Sequence, residues 1–313
     1  MLKLKPCLLL IILLFCQTSY ANQPLGCPTD LPPIPAGEKA KLISNDFLFL
    51  EGPTWSETTN VYYFSEMNFS STQENGPDAK IYQLKLPNTL AVFIEHSGTN
   101  GLLAKGGELF AMNHDSQSVS SYSLTTKQKI IIADNFHGQH FHSPNDMALH
   151  TKKHIYFTDP DWQLGDRLPQ LDFTGVYWID PEGKVSLVDK SLDKPNGVVL
   201  SLDERTLYVG DAENRVNTYQ VSEDGSVSNT RKLFANIQSP DGMTIDCAGN
   251  LYITSHVEGS IYLYSAEGLQ LDKIKVGPNT TNVEFGGPDM QTLLITTASG
   301  LYSIRTNLPG AVR

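Results

Sequence analysis

Cysteine is scarce, with 4 in 313 residues. Cys7 and Cys16 fall in the first apolar stretch, which leaves Cys27 and Cys247 for the rest of the chain. A disulfide-dense scaffold is thereby excluded, and a hydrophobic core must hold the fold. In an oxidising compartment the remaining two could pair and pin the N-terminal tail to the body, and two isolated thiols fit the sequence equally well. Positive charge is also in deficit. The 23 Lys and Arg against 34 Asp and Glu give a net charge of −11. No basic run occurs, which argues against a nucleic-acid partner, because phosphate neutralisation needs clustered cations. Long apolar runs are missing beyond residue 21. Gly and Pro, 24 and 18 in number, interrupt most of the chain at short intervals, so no long helix of period 3.6 fits. There is no G-x-S-x-G elbow, Walker loop, HExxH or CxxC, which disfavours serine-esterase, nucleotidase and thiolate- or HExxH-type zinc chemistry.

The first residues stand apart. Lys3 and Lys5 precede an apolar run from Leu8 to Phe15, and Ser19-Tyr20-Ala21 forms a small-x-small exit. The run is shorter than the roughly 20 apolar residues of a bilayer span. Residues 1–21 therefore read as a secretory signal peptide. Cleavage would remove the two lysines and take the net charge from −11 to −13. This predicts an exported chain, periplasmic or secreted, with no membrane association after cleavage. Residues 22–40 then form an N-terminal lead-in, and 41–313 a single folded domain.

What the chain does have is an internal repeat. A loop with Pro, Gly, Asn or Asp leads into an apolar run, a polar turn and a second strand-like run. Examples are Pro144-Asn-Asp-Met-Ala148 with His154-Ile-Tyr-Phe-Thr-Asp159, and Pro240-Asp-Gly-Met-Thr-Ile245 with Asn250-Leu-Tyr-Ile-Thr254. The copies are headed by Glu51, Asn100, Asn145, Asn196, Asp241 and Asn282, at spacings of 49, 45, 51, 45 and 41 residues. That is the size of a four-stranded propeller blade. The predicted fold is all-β, a six-bladed β-propeller with a metal site in its central channel.

Equivalent places in the blades project to the same radius, so the six heads converge at one mouth of the channel. All six are polar. Turn preference explains some of the Asn and Asp, but not Glu51. Hard cations take oxygen ligands, six to eight for Ca²⁺ at about 2.3–2.6 Å. The ring offers oxygen donors and two formal negative charges, which suits Ca²⁺. Mg²⁺ and Mn²⁺ are alternatives, and Zn²⁺ a poorer one because it favours His and Cys. Such a metal polarises a carbonyl or phosphoryl oxygen, and a nearby carboxylate serves as base or nucleophile. Asn100 and Asn282 complete the ring as substrate-pocket candidates. His137, His140 and His142 form a loop or rim cluster. His142, three residues before Asn145, is the best placed of them to line a substrate mouth. Trp55 and Phe157 read as core, and Asp159 and Asp211 as turn caps.

Several segments resemble the senescence marker protein-30/gluconolactonase/luciferin-regenerating family. They are Glu51-Gly-Pro-Thr-Trp55, Ser143-Pro-Asn-Asp146, Tyr156-Phe-Thr-Asp-Pro160, Lys194-Pro-Asn-Gly197, Ser239-Pro-Asp-Gly-Met243, Thr281-Asn-Val-Glu-Phe-Gly-Gly287 and Thr296-Thr-Ala-Ser-Gly-Leu-Tyr302. The motifs fall in order from about residue 46 to 304 and cover nearly the whole mature chain. The resemblance implies a six-bladed propeller with axial calcium and a calcium-dependent lactonase acting on a sugar lactone or related cyclic ester. It places the metal on Glu51, Asn196 and Asp241, with Asn145 as fourth ligand or substrate contact. Asp241 or Asp146 then takes the proton from water. On a regular strand Asp146 and Asn145 point opposite ways, which offers Asp146 a turn role instead. Some family members carry Arg where this chain has Ser143, so gluconolactone is not expected to be held through that Arg. A phosphotriesterase or arylesterase on the same metal, and a non-enzymatic secreted propeller with a structural ion and a partner-binding rim, are the rival readings.

Overall fold

The computed structural model describes residues 26–70 and 74–312. The predicted leader over residues 1–21, with Cys7 and Cys16, lies outside them. Among the described residues there is no α-helix. Six four-stranded antiparallel sheets follow one another along the chain. Their innermost strands are Leu50–Ser56, Thr99–Lys105, Met147–Leu149, Val198–Leu200, Pro240–Ile245 and Thr280–Gly286. The sixth blade has only three strands of its own. Lys41–Ser44 supplies the fourth by pairing with Leu301–Arg305, with Lys41 opposite Ser303, and so closes the ring with the N-terminal end of the domain.

The core is not at the axis. Six clusters of buried apolar side chains lie one at each interface between neighbouring blades. Tyr156 and Val176 of blade three meet Leu207 and Val209 of blade four, for example. Leu50 and Phe64 of blade one meet Leu294 and Leu301 of blade six. Period-two alternation produces this, since each sheet buries both faces against its neighbours. Trp55 and Phe157 belong to these clusters, as their sequence setting suggests. Burying both faces leaves the inner edges free to line a channel. A cavity of about 600 Å³ runs along them.

Cys27 and Cys247 are joined in a disulfide, with Cα atoms 5.7 Å apart. It ties the lead-in segment to blade five. Ile34 packs into the cluster between blades five and six, and the Asn307 backbone N–H donates to the Pro33 carbonyl at 2.9 Å. The two segments that flank the propeller are thus fastened to each other and to its body.

Candidate metal and catalytic centre

Each ring position sits at or beside a break in strand register. In blade three the Asn145 N–H donates to the Thr158 carbonyl at 2.9 Å, and the Thr158 N–H donates to the Asp146 carbonyl at 3.1 Å. Asn196, Gly197 and Gly210 repeat this at 2.9 and 3.0 Å. Two residues oppose one, which is a β-bulge, a device that re-aims side chains. Register also breaks between Glu51 and Thr54, Thr99 and Leu102, Pro240 and Met243, and Thr280 and Asn282. The bulge suspends strand alternation at Asn145-Asp146. Asp146 consequently lines the channel and interacts with Glu51 and Asp241.

The residue after most heads is glycine because the next blade leaves no room for a side chain. A Cβ on Gly52 would lie 2.5 Å from the Asn100 carbonyl oxygen, and one on Gly101 2.4 Å from that of Asn145. One on Gly197 would lie 2.1 Å from the Asp241 carbonyl oxygen, and one on Gly242 1.9 Å from Asn282 Cγ. At these four places the backbone after one head therefore packs directly against the next head. Hydroxyls from the second strands fix this layer. Ser65 donates to the Asn100 carbonyl at 2.7 Å, Thr158 to that of Asn196 at 2.7 Å, and Thr254 to that of Thr281 at 2.7 Å.

Three carboxylates come together here. Burial raises Glu51 well above the ordinary carboxylate range, and Asp241 and Asp146 add to this by repulsion. Hydrogen bonds from Asn282 and the Gly52 N–H oppose the shift. Asp146 is pushed up to about 7, mainly by burial, against hydrogen bonds from the Met147 and Val198 N–H groups at 2.8 and 3.2 Å. It keeps part of its surface open to the cavity, although it lies deep in the molecule. Burial also raises Asp241, which His256 and a hydrogen bond from Asn196 pull back. The cavity below the ring touches Asp146 and Asn282 but not the other five heads.

The remaining candidates divide. Asn282 donates to Glu51 Oε2 at 3.3 Å. Asn100 is buried within the ring and its Oδ1 has no hydrogen-bond partner. His142 is buried, and its contacts lie away from the ring. Its Nε2 is 3.1 Å from the Leu171 carbonyl, and its Nδ1 is 3.6 Å from Asp159 Oδ2. His137 and His140 are exposed on a small hairpin, Asn135–Phe136 with Gln139–His140. Asp159 accepts the His142 and Ser143 N–H groups and holds the turn before Asn145. Asp211 likewise accepts from Glu213 and Arg215. The sequence reading passed over His256, whose Nδ1 lies 3.5 Å from Asp241 Oδ2, a contact longer than a good hydrogen bond. Extending the repeat two residues past Thr254 would have found it.

No three His, Cys, Asp or Glu side chains among the described residues form a metal cluster by themselves. The ring's donor set is different, a few carboxylates with amide oxygens. Mutually repelling buried acids and an unpaired amide oxygen are both relieved by a hard cation, so the residues present fit one.

The fold and this centre define a six-bladed propeller with an acid-and-amide ring on its axis. The chain belongs to the SMP-30/gluconolactonase/LRE-like family, whose profile matches residues 49–299. The gluconolactonase of Zymomonas mobilis subsp. mobilis is 28% identical over 295 aligned positions, covering 86% of this chain and 82% of that one. A solved gluconolactonase from Xanthomonas campestris superposes with a TM-score of 0.77 at 22% identity, covering 90% of this chain and 93% of its own. Regucalcin from Agrobacterium tumefaciens, described as a calcium-binding protein, superposes at 0.70 with 18% identity, covering 88% and 96%. These two structures bear on the fold alone.

Proposed function

We propose that the protein hydrolyses a small-molecule lactone with the help of a divalent cation, Ca²⁺ foremost. The observation that carries this is the convergence of three carboxylates, buried Glu51 and Asp241 and half-buried Asp146, on one polar ring. The relative named gluconolactonase supports the lactone reading. Glu51, Asn145, Asn196 and Asp241 would hold the ion. Bound there, it would polarise the lactone carbonyl and stabilise the charge that develops on its oxygen.

The chain's own groups do the rest. Asn196 and Asn282 hold the two ligand carboxylates in place. Asp146 is the general base. Two backbone N–H groups anchor it, each oxygen keeps a second lone pair, and burial brings it into the range where a base works at neutral pH. It takes a proton from the water that attacks the carbonyl carbon. It returns that proton to the ring oxygen as the acyl–oxygen bond breaks, and an open hydroxy acid results. With Ser143 in place of Arg, and its hydroxyl spent on the Pro160 carbonyl at 2.6 Å, a sugar lactone must be gripped by other groups.

A lactone panel assayed with and without EDTA, with Ca²⁺ added back, tests the reading. Hydrolysis that EDTA abolishes and Ca²⁺ restores is expected. A folded, cation-loaded protein inert on every lactone would sink it. We also propose that the protein is exported, in keeping with the leader and the disulfide. N-terminal sequencing of the mature chain tests this, with cleavage expected after Ala21.

A further inference from the structure

Two ring amides lie outside the four proposed ligands, Asn100 and Asn282. The sequence repeat makes them equivalent, and the structure separates them. Both polar side-chain atoms of Asn282 have partners. Its Nδ2 donates to Glu51 Oε2 at 3.3 Å, and its Oδ1 accepts the Val283 N–H at 2.8 Å. Asn100 is only 1% exposed, and its Oδ1 is without a hydrogen-bond partner. A buried acceptor left unpaired is costly, so such atoms in folded proteins have a donor or a cation beside them.

The surroundings decide which. Asn100 stands between two proposed ligands. Its carbonyl oxygen would be 2.5 Å from a Cβ on Gly52, next to Glu51, and a Cβ on Gly101 would be 2.4 Å from the Asn145 carbonyl oxygen. Ser65 pins the Asn100 backbone by donating to its carbonyl at 2.7 Å. The charged groups of this ring are acids, which repel one another. A buried, unpaired amide oxygen within this ring adds further negative potential, and a positive ion relieves both at once.

We infer that Asn100 is a fifth oxygen donor to the ring's divalent cation, binding through Oδ1, and that Asn282 is the residue that orients Glu51 rather than a ligand. This rests on the cation reading proposed above, which the same measurements test separately. The full chain is stripped with EDTA and titrated with Ca²⁺ by calorimetry. Tb³⁺ luminescence lifetimes in H₂O and D₂O then count the waters on the bound ion. Asn100→Ala is expected to weaken Ca²⁺ at least about tenfold and to leave an extra water on Tb³⁺. Asn100→Asp adds a charge to the set. It is expected to tighten Ca²⁺ about tenfold and to lower the melting temperature of the cation-free protein. If Asn100→Ala does not fold, the near-isosteric Asp variant carries the test. Wild-type affinity and hydration in both variants, with only KM altered, would overturn the inference and assign Oδ1 to a substrate hydroxyl. A wild-type chain that takes up neither ion would overturn the cation reading together with it.

Discussion

Asn282 Nδ2 reaches Glu51 Oε2 at 3.3 Å across the seam where blade six meets blade one, 231 residues apart in the chain. Beside it Thr281 donates to the Leu50 carbonyl at 2.7 Å. The seam where the last blade packs on the first therefore also completes the ring.

Burial, and after it the neighbouring Asp241 and Asp146, oppose a charge on Glu51. Glu51→Gln should raise the melting temperature of the EDTA-treated protein by about 2–4 °C, the equivalent of roughly 1 kcal/mol of relieved repulsion and desolvation. The same variant should lose the stabilisation that Ca²⁺ gives the wild type. Calorimetric melts with and without Ca²⁺ check both. A lower melting temperature without cation would contradict the repulsion.

The pH dependence follows from Asp146, pushed up to about 7, and Asp159, pushed up to about 8, both mainly by burial. Folded pKa values above the unfolded ones mean that the native state keeps protons the unfolded chain has released. That stability is present below the ordinary value of 3.8 and is lost as pH rises through the folded values. Melts of the cation-free protein across this window should fall with pH. Asp159→Asn should make the slope shallower. A flat or rising profile would refute the assignment.

Gly197 lies where a Cβ would meet the Asp241 carbonyl oxygen at 2.1 Å. Backbone cannot yield as a flexible side chain does, so Gly197→Ala should cost about 1–3 kcal/mol and displace Asp241. Lactone turnover should drop well beyond the loss of folded protein. Gly277→Ala, where the nearest atom is Tyr302 Oη at 3.4 Å, serves as the tolerated control. Equal effects in the two variants would show that the contact is unimportant.

The Cys27–Cys247 bond spans 220 residues of sequence. Chain-entropy arguments give about 5 kcal/mol for a loop of this length, and disulfides typically deliver about 2–4 kcal/mol. Cys27→Ser should lower the melting temperature accordingly, and dithiothreitol should have no further effect on the variant. The blade ladders do not depend on the bond, so the circular dichroism of the folded variant should match the wild type.

Much of the fold was legible in the residues because its causes are local. Period-two runs such as Leu251-Tyr-Ile-Thr254 and turn residues before each strand repeat at blade spacing, and six copies leave little choice but a closed ring. The six heads could be read in the same way. Their roles could not. Asn145 and Asp146 are neighbours whose directions depend on a bulge against Thr158, and bulge register is settled by pairing with another strand. Asn100 and Asn282 look alike in sequence and differ because only the Asn282 side chain hydrogen-bonds Glu51, across the closing seam. His256 has no motif of its own, and it matters only because blade five turns it toward Asp241. The sequence by itself determined the blade count, the strand periods and a polar ring, all consequences of short-range patterning. The tertiary structure alone decided which amide is spent, which acid faces the cavity and whether the two cysteines meet, because each of those depends on contacts between distant parts of the chain.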